Sequence, residues 1–109
     1  MKRRFLGPAR LEVSAIGYGC PPFAGKLGAE DEAAAIAVIH RAIECGITLI
    51  DTADHGGGNN EDVLAKALRD RRHDVVLTSK FGNMRSHPER GERMVDGRPE
   101  YVAKACNAS

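Results

Sequence analysis

No apolar run among the 109 residues is long enough to cross a bilayer as a helix, so no transmembrane segment is expected. The basic start Met1-Lys2-Arg3-Arg4 resembles the front of a signal peptide, but the apolar stretch such a peptide needs does not follow, and secretion is not expected. Cysteine is scarce: Cys20, Cys45 and Cys106 are odd in number and lack CxxC spacing, which points to reduced thiols in a cytoplasm rather than to disulfides. His40, His73 and His87 have no metal-ligand spacing with one another or with a cysteine, so no metal site is expected. A net charge of +1 leaves no basic excess for nucleic acid or an anionic membrane. Low-complexity runs and close internal repeats are also missing, which excludes a solenoid. What remains, 42% hydrophobic and 28% charged residues, is the composition of a soluble globular protein sized for one small domain or a piece of a larger one.

The stretch Ile47-Thr48-Leu49-Ile50-Asp51 organises the rest of the chain. A short apolar, β-branched run of this kind reads as a buried parallel strand, and it stops on a carboxylate that does not belong in a dry core. The pattern returns in Val75-Val76-Leu77-Thr78-Ser79, which ends on a cation, Lys80. Parallel neighbouring strands lie about 4.8 Å apart, so Asp51 and Lys80 would emerge side by side at one end of the sheet. Such a pair serves either as a salt bridge closing the sheet end or as a functional group, since a lysine held by a carboxylate can orient a proton donor and lower its pKa.

Charged and apolar residues alternate from Arg3 to Ser14 across Gly7-Pro8-Ala9-Arg10, the pattern of a small antiparallel hairpin that caps the fold. Ala15 to Cys20 is a short strand broken by glycines, and Pro21-Pro22 ends it. Gly19 at its end suits either close approach of a ligand or a tight turn. Ala35, Ile36, Ile39, Ala42 and Ile43 share one face of a helix over Asp31–Cys45, with Gly46 just past its end. A second helix opens at Asn59 or Asn60, either of which can cap it, and buries Leu64, Ala67 and Leu68. A long polar loop, 81–97, leads to a third helix with Pro99 in its first turn. Strands that alternate with helices in this way imply parallel βα units with right-handed crossovers, an α/β fold.

The hairpin, "GYGC", "GITLIDTAD", the Asn-Glu opening of the second helix, "TSKFG" and "DGRPEYV" together resemble the aldo-keto reductases, in particular bacterial members with a "DTADxYG" signature. The resemblance covers essentially the whole chain but only the first third of such a protein, because a (βα)8 TIM barrel needs roughly 250 residues. It implies the N-terminal part of that barrel: a capping hairpin, 1–14, and about three βα units, 15–109. The family transfers hydride from NADPH to an aldehyde or ketone while a tyrosine supplies the proton. By resemblance, the catalytic aspartate and lysine fall on Asp51 and Lys80, and Gly19, Cys20 and Asp51 lie at the nicotinamide end of the cofactor.

Two departures accompany the match. The family tyrosine belongs at Gly56, and the chain's only tyrosines are Tyr18 and Tyr101. The family histidine and most of the adenosine-phosphate grip come from later strands that this sequence does not contain. His55 is the nearby side chain able to donate a proton near neutral pH, either as a partial substitute or simply as a solvated loop residue. Gly56-Gly57-Gly58 lacks a following GK[ST] and reads as a loop, not a phosphate cradle. Two functions follow as expectations. One is a truncated reductase with little activity of its own; the other is a non-catalytic fragment that self-associates through open sheet edges.

Overall fold

The computed structural model describes residues 1–21, 28–54, 59–83 and 95–109. Strands β1 (Arg3–Leu6) and β2 (Leu11–Ser14) pair antiparallel, closed by Arg10 N–H on the Gly7 carbonyl at 3.1 Å. A parallel sheet follows, ordered β3 (Tyr18–Gly19), β4 (Leu49–Asp51), β5 (Val76–Thr78). Helices α1 (Ala29–Glu44), α2 (Asn59–Leu68) and α3 (Pro99–Ala108) alternate with these strands. The expected order of hairpin followed by strand-helix units is therefore observed.

The strands are shorter than the apolar runs, for local reasons. Ser14 and Thr48 exchange hydrogen bonds, Ser14 N–H to Thr48 Oγ1 at 2.8 Å and Thr48 N–H to Ser14 Oγ at 2.9 Å, and Arg3 adds a guanidinium bond to Thr48 Oγ1. This ties the hairpin base to the residue before β4. Ser14 Oγ–H also donates to the Ile16 carbonyl, turning the chain just ahead of β3.

α1 carries Glu30, Asp31 and Glu32 in its first turn and Arg41 in its last, charges that complement the helix dipole at both ends. Gly46 follows with φ +88, the left-handed conformation that glycine adopts without a Cβ penalty, as expected for the position just past a helix. Alternation along the strands sends Ile50 and Leu77 toward α1 and α2, and Leu49, Asp51, Val76 and Thr78 to the opposite face. Ile39, Ile50, Val63, Leu64, Ala67, Leu68 and Val75 make the buried core between sheet and helices; Ile39, Leu64, Ala67 and Leu68 stand where helical periodicity places them, and Val63 joins them. A Glu32–Lys66 ion pair at 2.8 Å and a bond from His40 Nε2–H to the Ala67 carbonyl at 2.8 Å link α1 to α2. The second of these satisfies a last-turn carbonyl that an α-helix leaves without an intrahelical partner.

Among the described residues, β3 and β5 each pair on one side only, and no helix packs on the Leu49–Val76 face. With one face of a small sheet buried, stability rests heavily on that core. Ile50→Ala should lower unfolding free energy by about 2–5 kcal/mol, a large part of the roughly 5–15 kcal/mol typical of a domain. Urea unfolding followed by circular dichroism measures this, and a midpoint equal to that of the unaltered chain would contradict the assigned core.

Candidate active site

β3, β4 and β5 end together. Gly19 is in register with Asp51, and Asp51 with Thr78. Past the last pairs the backbone bonding continues: Cys20 N–H reaches the Asp51 carbonyl at 2.8 Å, Thr52 N–H the Thr78 carbonyl at 2.9 Å, and Asp54 N–H the Lys80 carbonyl at 3.0 Å. Lys80 is thereby carried to the same rim as Asp51.

There the Lys80 ammonium donates a short hydrogen bond to Asp51 Oδ2 and a second bond, 2.9 Å, to the Thr52 carbonyl. Thr78 Oγ1–H donates to the other oxygen, Asp51 Oδ1, at 2.8 Å. Hydrogen bonds from Lys80 and then Thr78 hold the Asp51 carboxyl below its ordinary value of 3.8, with partial burial opposing them. The side chains of Lys80 and Asp51 are 59% and 47% exposed, so the pair stands open to a molecule arriving at the rim. At Gly19, beside Asp51, no atom of the described residues lies within 4 Å of where a Cβ would sit. A flat ring could therefore approach the strand end closely.

The Cys20 thiol lies elsewhere. It is buried, 4.0 Å from the Asn60 carbonyl at the start of α2, and burial followed by the charge of Glu61 pushes its pKa up. A protonated, buried thiol is a packing group rather than a nucleophile. Cys20 meets the rim through its backbone. The structure thus gathers Gly19, Cys20, Asp51 and Lys80 at one end of the sheet, with Cys20 turned inward.

Several contributors have no signal of their own in the sequence pattern, which places Thr78 simply within an apolar strand, although alternation puts it on the same face as Lys80. Asn60 does not cap α2 from outside. It is fully buried inside the first turn, and its Nδ2 donates to Thr52 Oγ1 at 2.9 Å and to the Ala53 carbonyl at 3.0 Å. Tyr101 reaches the segment after β4 from α3, donating to Asp54 Oδ2 at 2.6 Å. Pro22, His55, Gly56-Gly57-Gly58, Met84, His87 and Met94 lie outside the described residues. A cavity of about 340 Å3 between α2 and β5 is lined by Leu64, Leu68, Arg72 and Leu77 together with Thr52 and Ser79, the chain neighbours of Asp51 and Lys80, while neither Asp51 nor Lys80 itself borders it.

The model of the Aldo/keto reductase family matches residues 15–109. The uncharacterised oxidoreductase YqkF of Bacillus subtilis is 40% identical over 84 residues, which are 76% of this chain and 26% of that protein. Among solved structures, the aldo-keto reductase AKR11C1 from Bacillus halodurans in its holo form superposes with a TM-score of 0.78 at 36% identity, covering 99% of this chain and 35% of that one. An aldo-keto reductase from Klebsiella pneumoniae in complex with NADPH gives 0.73 at 27% identity, covering 99% and 34%. The chain thus spans between a quarter and about a third of the length of these relatives.

The rim pair sets a pH dependence. Because Asp51 titrates lower folded than unfolded, its bonds stabilise the fold above the unfolded value, and that contribution fades as pH falls through the lower folded value. The pair is half exposed, so the effect is at most about 1 kcal/mol. Denaturant midpoints of the unaltered chain and Asp51→Asn should differ at pH 7 and converge in acid; a constant difference would contradict the pairing.

Proposed function

This chain belongs to the aldo/keto reductase family, and we propose that its rim residues serve the family reaction, NADPH-dependent reduction of an aldehyde or ketone to the alcohol. The observation that carries the reading is the Asp51–Lys80 pair at the carboxyl ends of adjacent parallel strands, where barrels of this class place their chemistry. Asp51 holds the Lys80 ammonium, and Thr78 holds Asp51. An ammonium fixed in this way polarises a neighbouring hydroxyl and eases its proton toward a carbonyl oxygen. The open space at Gly19 suits the flat nicotinamide end of the cofactor. When bound, NADPH supplies the hydride.

The proton donor is where this chain departs from its family. Glycine stands at position 56, where the family signature has tyrosine, and general acid catalysis typically contributes about 10²–10⁴-fold. Residues 1–14 form the cap and 15–109 the first three βα units of the barrel; on this reading the chain by itself turns over little. Its three thiols fit a reducing compartment, and we assign it to the cytoplasm.

A second reading, a non-catalytic fragment that self-associates, is favoured by the two sheet edges that stand open, and the face that no helix covers, among the described residues. Sedimentation of the purified chain tests it: dimers or larger species are expected, and a stable monomer excludes it. For the reductase reading, the chain is co-expressed with the later two-thirds of the Bacillus halodurans enzyme. Carbonyl reduction should be weak, should rise about 10²–10⁴-fold with Gly56→Tyr, and should lose that gain when Lys80→Met is added. No gain from Gly56→Tyr in an assembled barrel would contradict the proposal.

A further inference from the structure

Lys80 poses a positioning problem. Its side chain is 59% exposed, so packing does little to hold it, and the rotamer entropy of a long lysine side chain opposes any single placement. The pair with Asp51 therefore persists only if the backbone from which Lys80 springs is held firmly.

The restraint comes from Asp54. Its backbone N–H bonds the Lys80 carbonyl at 3.0 Å, and its carboxylate Oδ2 accepts the Gly82 N–H at 2.9 Å. These two contacts bracket Phe81 and fix the chain on the far side of Lys80. The same oxygen accepts the Tyr101 hydroxyl at 2.6 Å, and both residues are buried, with 8% exposure for Asp54 and 7% for Tyr101. Gly82 is gripped on its other side as well: its carbonyl accepts the Asp96 N–H at 2.9 Å. Its φ is +94, and a Cβ there would sit 2.7 Å from the Asp96 carbonyl oxygen, so only glycine fits between the two strands of contact.

We propose that Asp54 and Tyr101 are positioning residues for Lys80, Tyr101 locking the Asp54 carboxylate so that Asp54 can clamp the backbone on which the Lys80 ammonium is presented to Asp51. The residues lie far apart in sequence, and α3 brings the hydroxyl to the clamp. This deepens the reading of Lys80 given above, but its test reads placement rather than turnover, so a failure here is distinguishable from a failure of the reductase reading.

The test uses the 109-residue chain with carboxyl-labelled aspartate and follows the titration of Asp51 by carbon NMR. Lys80→Met sets the reference by removing the partner, and should move the Asp51 midpoint upward. Tyr101→Phe, which keeps the ring and removes only the hydroxyl, should move it in the same direction. Cys106→Ser, on the exposed side of α3 and outside the Tyr101–Ala105 cluster, should leave it in place. A folded Tyr101→Phe chain with the unaltered midpoint would overturn the proposal, as would an equal shift in Cys106→Ser. Independently of any variant folding, the Asp54 and Gly82 amide protons of the unaltered chain should exchange with solvent far more slowly than the Phe81 amide. Equal exchange at the three would also overturn it.

Discussion

The backbone bonds between β4 and β5 do not stop at the last paired residues. They continue through Thr52 to the Thr78 carbonyl and through Asp54 to the Lys80 carbonyl. Everything at the rim depends on this extension, because it fixes the registration of two side chains that solvent would otherwise separate. A slip of one residue would turn Asp51 and Thr78 toward the helices and place Ile50 on the open face. The dry core beneath, with Ile50 and Leu64 almost wholly buried, opposes that slip, so the packing of α1 and α2 on the sheet is also what aims the carboxylate and the ammonium.

Two kinds of interaction share the work. The hydrophobic contacts under the sheet supply stability, while the polar contacts above it supply placement at little net energy, since exposed ion pairs contribute about 0–1 kcal/mol. The segment Thr52-Ala53-Asp54 joins the two layers. All three residues are buried, and their polar groups are bonded to Asn60, Lys80, Gly82 and Tyr101. A change in α2 or α3 can therefore reach the rim without touching Asp51 or Lys80. Among the described residues no helix covers the face that carries the half-buried Leu49 and Val76, the face that a closed barrel turns toward its interior.

Much of this was legible in the chain itself. The change from helical to strand periodicity located α1, α2, β4 and β5, and the abrupt ends of two apolar runs on Asp51 and Lys80 located the rim pair. Gly46 and Pro99 marked helix boundaries by local backbone chemistry, which needs no tertiary partner. What escaped depends on distant partners. Asn60 carries a capping residue's side chain, but buried inside the first turn it bonds Thr52 instead of its own helix. Tyr101 lies 47 residues from Asp54, and no local pattern connects them. The Asn83–Val95 bridge pairs the two ends of a segment whose polarity reads as loop, because backbone pairing there owes nothing to apolar alternation.

Adjacent parallel strands deliver an acid and an amine to one place. Nuclear Overhauser spectroscopy on the isotopically labelled chain tests it most directly. The Lys80 ε-methylene protons should show cross-peaks to the Asp51 β-methylene protons and to the Thr78 methyl group. A folded chain whose Lys80 ε-methylene gives neither cross-peak would contradict the account.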